Sequence, residues 1–305
     1  MTFPDPDPVP TLFFPPDFMK FRIALAQMDP VLGDTRINVE RHVALIDRAL
    51  KEGAHLVVFP ELSLTGYAIK DLNWNLAVNP RDPGDTFAPL KERGKSISIL
   101  AGGVEEGGSF GIFNSAFLFE GGGMQVVHRK VYPPTYGMFE EMRYFSRGSS
   151  VRAFNWKHGR LGVLICEDLW HLSLPYLLAL DGATLIAALV ASPTRLGGRE
   201  PHPEIAAVNS ENHRTYARLL SVYLAFCNRV GFEDGVNFWG GSEIVGPDGS
   251  TVKSGKLFEE DLIVADVDDA ELRRARRLSR HFLDEEPHIV EEELRRLREA
   301  GRGGR

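Results

Sequence analysis

Short apolar runs of five to eight residues recur along this chain and restrict the folds that it can adopt. The clearest are residues 21–28, 55–59, 161–165 and 184–190. Each has the length of a strand that is buried on both of its faces. No run approaches the ~18 apolar residues that a membrane-spanning helix needs, so we expect no association with a membrane.

Segments with a helical spacing of apolar residues separate several of these runs. Residues 38–52 follow this pattern, and Gly53 comes directly after them, where a helix commonly ends. Residues 172–180 and 204–220 are predicted to be further helices, and residues 236–245 a late strand. Alternating strands and helices, mixed with hairpins, favour an α/β fold in which helices pack on mixed sheets.

No linker or repeat divides the central part of the chain, so residues 19–280 are predicted to form one domain. Residues 1–18 are rich in Pro and Asp, which predicts a disordered tail rather than a secretory signal. Residues 281–305 are predicted to be a charged helical tail, because Glu291 and Arg295 are spaced to pair along a helix.

Charge and cysteine content exclude several classes of function. The net charge of −7 does not favour nucleic-acid binding. With only Cys166 and Cys227, the chain has no disulfide framework, which predicts a reducing, cytoplasmic location. No CxxC or HExxH motif occurs, so we expect neither a metal site nor a cofactor.

Three chemically active residues follow predicted strands at the point where each strand ends. Glu61 follows the strand that ends at residue 59, Lys130 follows one that ends near residue 128, and Cys166 directly follows residue 165. Ligands of open α/β sheets bind beyond the carboxyl ends of the strands. We therefore expect the three side chains to meet at one site.

An acid, a base and a thiol form a workable hydrolytic set. Glu61 can take the thiol proton and later return it to leaving ammonia. Lys130 can offset the repulsion between the carboxylate and a thiolate, and it can stabilise an oxyanion together with the backbone N–H of Glu167. A cysteine after an apolar strand is nevertheless more often a small buried hydrophobe, and we keep that interpretation for Cys227.

At these residues the sequence resembles the nitrilase, or carbon–nitrogen hydrolase, superfamily. The resemblance extends from about residue 21 to about residue 268. It implies a four-layer α-β-β-α sandwich whose protomers pair through a helical face, for which residues 204–220 are a candidate, into an eight-layer αββα-αββα homodimer or a larger homo-oligomer. The matching motifs, in chain order, are Phe59-Pro60-Glu61, Arg129-Lys130 and Cys166-Glu167-Asp168.

Within the superfamily, residues 136–145 and 166–170 look most like the glutaminase domain of glutamine-dependent NAD synthetases. This resemblance assigns to Glu141, rather than Glu140, the role of orienting the lysine and the substrate. The alternative is that both glutamates are solvated turn residues.

The same resemblance implies that Tyr136, Glu167 and Ser192 line the substrate pocket. Glu167 would pair with the ammonium group of an amino acid substrate. Ser192 has a simpler structural interpretation, since a serine before a proline often only turns the chain.

The chain lacks the Ser-Gly-Gly-x-Asp-Ser phosphate loop of an ATP-using synthetase, because Gly240-Gly241-Ser242 is not followed by that pattern. We therefore expect either a free-standing amidase or an ammonia-supplying glutaminase subunit for a separate synthetase. The leading hypothesis is a metal-free hydrolase of a small carboxamide, with glutamine as one candidate, acting through a Cys166 thioester. A nitrilase that acts on a nitrile is the second hypothesis, and a non-enzymatic scaffold or binding module is the third.

Overall fold

The computed structural model of the protein describes residues 20–194 and 204–302, with side chains as far as residue 300. The described part of the chain contains fourteen strands and eight α-helices. The strands are β1 (Lys20–Gln27), β2 (Leu56–Val58), β3 (Ser98–Glu106), β4 (Ile112–Glu120), β5 (Gly123–Arg129), β6 (Phe154–Trp156), β7 (Gly159–Ile165), β8 (Leu185–Val190), β9 (Tyr223–Asn228), β10 (Val230–Glu233), β11 (Val236–Trp239), β12 (Glu243–Val245), β13 (Thr251–Ser254) and β14 (Asp261–Asp268). The helices are α1 (Thr35–Lys51), α2 (Asn73–Leu76), α3 (Ala88–Arg93), α4 (Glu141–Tyr144), α5 (Ser173–Leu180), α6 (Glu204–Leu220), α7 (Asp269–Leu278) and α8 (Pro287–Arg302).

Twelve of these strands form two six-stranded mixed sheets. The first has the order β14-β1-β2-β3-β4-β5 and the second the order β13-β12-β9-β8-β7-β6. The middle strands of each sheet run parallel, β1 with β2 and β3, and β7 with β8 and β9. Antiparallel strands flank them on both sides, and β10 and β11 form a separate hairpin.

The two sheets pack face to face, with helices outside each of them. Along β1, Ile23 and Leu25 face the second sheet, whereas Ala24 and Ala26 face α1 and α3. This alternation follows from the two-residue period of a strand, and burial of both faces explains why the run is continuously apolar. Helices α5 and α6 cover the outer face of the second sheet. The predicted α-β-β-α sandwich is thus confirmed.

Helix α1 shows how local sequence sets the bounds of an element. Its N-cap, Asp34, accepts a hydrogen bond from the backbone N–H of Ile37 at 2.9 Å. Arg48 and Lys51 lie in the last turn, where cations are favoured by the helix dipole. Gly53 then adopts a φ of +73°, so the chain leaves the helix as the sequence predicted.

The prediction of one strand over residues 236–245 was wrong. The segment contains β11 and β12, which belong to different sheets. Gly240 and Gly241 separate them with φ values of +70° and +58°, and two successive left-handed residues cannot continue an extended strand. The turn is held because the N–H of Ser242 donates to Gln27 Oε1 at 2.8 Å.

The predicted tail of residues 1–18 lies outside the described residues. At the other end, α8 falls within the segment 281–305 that was predicted to be helical.

Among residues 20–194 and 204–302, no helix has the combined length and apolar character required to cross a bilayer.

Gly102 allows strand β3 to lie directly against the turn that carries Glu61. A Cβ at this position would lie 2.4 Å from the backbone N of Leu62 and 2.7 Å from the carbonyl O of Pro60. We expect Gly102→Ala to lower the free energy of unfolding by about 2 kcal/mol, because backbone atoms must move to accept the methyl group. Urea denaturation measures this change.

Gly108→Ala is the matched control, since a Cβ there has nothing within 4 Å. Its effect is expected to stay within about 0.5 kcal/mol. Equal stabilities of the two variants would show that the turn does not require the close approach at residue 102.

Candidate active site

The carboxyl ends of β2, β5 and β7 meet at one edge of the sandwich and bring Glu61, Lys130 and Cys166 together there. Lys130 Nζ lies 2.6 Å from Glu61 Oε1. The backbone N–H of Ala191 donates to Glu61 Oε2 at 3.1 Å and also reaches the thiol of Cys166. The carboxylate and the thiol therefore share one backbone donor at the end of β8.

Lys130 is fully buried between two carboxylates. Its Nζ donates to Glu61 Oε1 and, at 2.7 Å, to Glu141 Oε1. Burial alone would lower the pKa of Lys130, but the negative charges of Glu141 and Glu61 outweigh that effect and raise the pKa well above its ordinary value. The lysine is therefore an ammonium ion, and its positive charge is available at the site.

Glu61 is held by three donors. Besides Lys130 and the Ala191 N–H, the side-chain amide of Asn114 donates to Glu61 Oε1 at 2.7 Å. Sequence reasoning missed Asn114. A signal was present, because Asn114 and Ser115 interrupt the otherwise apolar run of β4, and a polar group at a buried strand position needs a partner.

Glu141 starts the short helix α4 and binds Lys130, where the sequence resemblance placed it. Its Oε1 also accepts the hydroxyl hydrogen of Tyr67 at 2.6 Å. Its Oε2 is buried and has no hydrogen-bond partner among the described residues. Burial raises the pKa of Glu141 to about 7, and the charge of Lys130 opposes this shift while that of Glu61 adds to it.

Tyr67 was not predicted as a site residue. Its backbone N–H and that of Ala68 donate to Glu233 Oε1 at 2.8 and 2.6 Å. Glu233 is held in turn by the buried guanidinium of Arg229 at 2.7 Å, which also contacts Asp29. This chain of contacts fixes the Tyr67 hydroxyl on Glu141, and burial raises the pKa of Tyr67 so that it remains a donor.

Cys166 occupies a sharp turn at the end of β7, with a φ of +48° that a residue with a side chain rarely adopts. Burial and the charge of Glu61 raise the pKa of its thiol well above the ordinary value, although Lys130 acts in the opposite direction. The ammonium group of Lys130 thus lowers the pKa of Cys166, as the sequence predicted, but the effect of burial is larger. The thiol is protonated at rest and requires a base.

Asp168 ties the nucleophile turn to the loop that carries the lysine. Its Oδ1 accepts the backbone N–H groups of Val131 and Tyr132 at 3.0 and 2.9 Å. Its Oδ2 lies 2.8 Å from His128 Nε2 and accepts the N–H of Ile165 at 3.3 Å. One fully buried carboxylate therefore sets the spacing between two of the three strand ends.

The residues predicted to line the substrate pocket have different partners. Tyr136 is exposed, and its hydroxyl donates to both carboxylate oxygens of Glu167 at 3.0 and 2.9 Å. Ser192 is bound elsewhere, since its N–H donates to Asn228 Oδ1 and its Oγ accepts from the indole of Trp239. The structure joins Tyr136 to Glu167 directly, and Ser192 adjoins the site through Ala191.

A cleft that is open to solvent lies beside Glu141. Its wall is largely apolar, and it includes the ion pair of Lys70 with Asp234 at 2.6 Å. Residues that form the wall include Tyr67, Phe139, Tyr144, Phe145 and Phe238.

Nowhere in residues 20–194 and 204–300 do three or more His, Cys, Asp or Glu side chains cluster in a way that could hold a metal ion.

The family model for carbon–nitrogen hydrolases matches residues 22–277, which include all the side chains of this site. The chain belongs to the carbon–nitrogen hydrolase family. The sequence resemblance to this superfamily is thereby confirmed.

Similar proteins include both synthetases and amidases. A glutamine-dependent NAD(+) synthetase from Thermotoga maritima is 34% identical over 82% of this chain and 42% of its own length. The structure of an Acinetobacter baumannii glutamine-dependent NAD+ synthetase, bound to adenosine diphosphate, matches with a TM-score of 0.74 and 30% identity over 83% of this chain and 46% of that one. This chain thus spans less than half the length of the synthetases that it matches.

An amidase from Nesterenkonia sp. AN1 is similar over nearly its whole length. Its structure covers 89% of this chain and 96% of its own, with a TM-score of 0.72 and 25% identity. In a mutant of that amidase, the acetamide moiety of fluoroacetamide is added covalently at the active-site cysteine.

Tyr67→Phe tests the electrostatic balance at Glu141. A hydrogen bond to an ionised carboxylate lowers its pKa, so loss of the hydroxyl must raise the pKa of Glu141 above about 7. If catalysis requires Glu141 to be ionised so that it can hold Lys130, acidification should abolish the activity of Tyr67→Phe at a higher pH than that of the unmodified protein. We expect the acid limb of kcat/KM, measured as ammonia release, to move upward by about half to one pH unit.

Tyr144→Phe is a control within the same cleft wall that removes no bond to Glu141. Its acid limb should coincide with that of the unmodified protein. An acid limb in Tyr67→Phe that is unmoved, or shifted downward, would contradict the assigned contact.

Proposed function

We propose that this protein is an amidase that hydrolyses a small carboxamide to an acid and ammonia through a thioester on Cys166, and that glutamine is its leading candidate substrate. The observation that carries this proposal is the Glu61–Lys130 contact of 2.6 Å beside a thiol whose pKa is raised. A protonated thiol next to a buried carboxylate is the arrangement that general-base activation requires.

The first half-reaction forms the thioester. Glu61 removes the proton from Cys166 Sγ, and the sulfur attacks the carbonyl carbon of the amide. The negative charge that develops on the carbonyl oxygen is stabilised by Lys130 Nζ and the backbone N–H of Glu167. Glu61 then gives its proton to the amide nitrogen, the C–N bond breaks, and ammonia leaves.

The second half-reaction releases the acid. Glu61 removes a proton from a water molecule, and the resulting hydroxide attacks the thioester carbon. The C–S bond breaks, and the proton held by Glu61 returns to the sulfur. The sum is one amide and one water converted to one acid and one ammonia.

Glu141 offers a position for the substrate nitrogen. Its buried Oε2 has no partner among the described side chains and backbone groups, and a carboxylate oxygen in that state is costly unless a ligand supplies a donor. The NH₂ of a carboxamide supplies one, whereas a nitrile nitrogen carries no hydrogen. This difference favours an amide over a nitrile substrate.

Glutamine is favoured by the pair of Glu167 and Tyr136, because the half-buried carboxylate of Glu167 can bind an α-ammonium group. The similarity to glutamine-dependent synthetases supports the same choice. Ammonia released here can serve a separate synthetase, and we include that ammonia-supplying role in the proposal.

A cytoplasmic homo-oligomer is also part of the proposal. Helices α5 and α6 carry apolar side chains that remain exposed on the outside of the sandwich. They are Leu177, Val208 and Leu219, with Leu172 just before α5. Such a face is suited to pairing with a second copy of the chain.

Cys166→Ala tests the thioester directly. We expect ammonia release from amides to fall by at least ~10⁴-fold, because the proposed thioester forms on Cys166 Sγ. Cys227→Ala is the control, since Cys227 lies in the core between the sheets, where its Sγ donates to Val58 O at 3.1 Å. Rapid-quench mass spectrometry should detect an acyl adduct on Cys166 in the unmodified protein only while substrate is present.

A panel of glutamine, asparagine, aliphatic amides and nitriles separates the hypotheses. Absence of ammonia release from every compound by the unmodified protein would leave the scaffold hypothesis. Release from nitriles alone would replace the amidase by a nitrilase.

Glu167→Gln tests glutamine recognition separately from catalysis. Loss of the carboxylate charge should raise KM for glutamine about tenfold and leave kcat nearly unchanged, because the ammonium group is remote from the reacting carbon. An amide that lacks the α-amino group should be hydrolysed as before. Glu140→Gln is the matched control, which makes the same charge change at an exposed carboxylate next to Glu141 in the chain. A lower kcat with both substrates would contradict a pure binding role.

A further inference from the structure

Helix α8 extends from the body of the protein with its whole surface exposed. Every side chain from residue 287 to residue 300 is exposed. The segment before the helix is anchored, because Phe282 is buried against the α5–α6 layer and the hydroxyl of Tyr176 donates to Glu285 Oε1 at 2.8 Å. The base of α8 is therefore held on the protein, while the side chains of the helix itself remain exposed as far as residue 300.

One face of α8 is apolar. Val290, Leu294 and Leu297 are spaced i, i+4 and i+7 and form a single stripe along the helix, with Ile289 at its edge. Leu294 and Leu297 are 54% and 55% exposed. A helix of 16 residues without tertiary packing is only marginally stable in water, so the stripe is suited to a partner that covers it.

The charges beside the stripe indicate which partner fits. Glu291 and Arg298 lie two turns apart on the same flank of the stripe. The first half of the helix is acidic through Glu291, Glu292 and Glu293, and the second half is basic through Arg295, Arg296 and Arg298. In an antiparallel pair of identical helices, each Glu291 lies opposite Arg298 of the other copy, and the acidic half of each helix faces the basic half of its partner.

We propose that α8 is a self-association element, which pairs antiparallel with α8 of a second copy through Val290, Leu294 and Leu297 and through reciprocal Glu291–Arg298 ion pairs. A two-fold axis relates the two helices, so each ion pair occurs twice in one contact. Opposed helix dipoles favour the same orientation. This contact is separate from the α5–α6 face and does not depend on the catalytic proposal.

Charge reversal tests both the partner and the register. Glu291→Arg and Arg298→Glu each place like charges opposite each other in a self-pair, so each variant alone should raise the dissociation concentration of the largest assembly by about tenfold. An equimolar mixture restores opposite charges across the contact and should recover the association of the unmodified protein. Sedimentation velocity over a dilution series, at low salt, measures the dissociation concentration.

Two controls separate pairing from helix stability. Glu292→Arg makes the same charge change one residue away on the face opposite the stripe, and it should leave association unchanged. Leu294→Gln should weaken association whichever charges are present. Far-ultraviolet circular dichroism and thermal melting verify that each variant is folded.

The proposal is overturned if both charge reversals associate at the same concentration as the unmodified protein. It is also overturned if the mixture fails to recover, since α8 would then bind something other than α8.

Discussion

A buried ammonium ion between two carboxylates is the interaction on which the rest of this structure depends. Lys130 donates to Glu61 and Glu141 at 2.6 and 2.7 Å, and it is shielded from water. Two negative charges so close together would repel each other strongly in a medium of low dielectric constant, so the two carboxylates could not both remain ionised without the lysine. Substitution of Lys130 by a neutral residue would leave two buried carboxylates without a counter-charge.

The scaffold explains how such a costly cluster is maintained. Glu61 and Lys130 project from the carboxyl ends of β2 and β5, Glu141 starts helix α4, and separate contacts fix each of these segments. Asp168 joins the ends of β5 and β7, Gly102 lets β3 support the turn after β2, and Glu233 holds the loop that brings in Tyr67. Since these contacts are made mostly with backbone atoms, the geometry depends on the fold more than on any single side-chain rotamer.

Much of the layered fold and the convergence of three side chains was predictable from local sequence. Buried strands are continuous apolar runs. A reactive residue that directly follows such a run lies at the carboxyl end of the strand, where ligands of α/β sheets bind. Asn114 and Tyr67 were not predictable in this way. Their roles arise from the register of β4 against its neighbours and from a loop held by Glu233, which are contacts between distant parts of the chain.

The error over residues 236–245 has a related cause. Glycine can occupy an extended strand, so the sequence alone does not exclude a strand through Gly240 and Gly241. Contacts with the neighbouring backbone and with Gln27 require both residues to adopt the left-handed conformation. Ser192 illustrates the same limit, because its partners Asn228 and Trp239 come from strands that are distant in sequence. Sequence patterns identify which elements form, whereas side-chain partners across sheets depend on how those elements pack.

The protonated state of Cys166 has a consequence beyond hydrolysis. Peroxides and other oxidants attack the thiolate, and burial together with Glu61 keeps the resting sulfur in its thiol form. In the proposed mechanism, the sulfur becomes nucleophilic only when Glu61 accepts its proton, at the moment a substrate carbonyl is within reach. A resting thiol reacts with peroxides more slowly than a thiolate does, so the same burial that delays activation also protects the sulfur from oxidation.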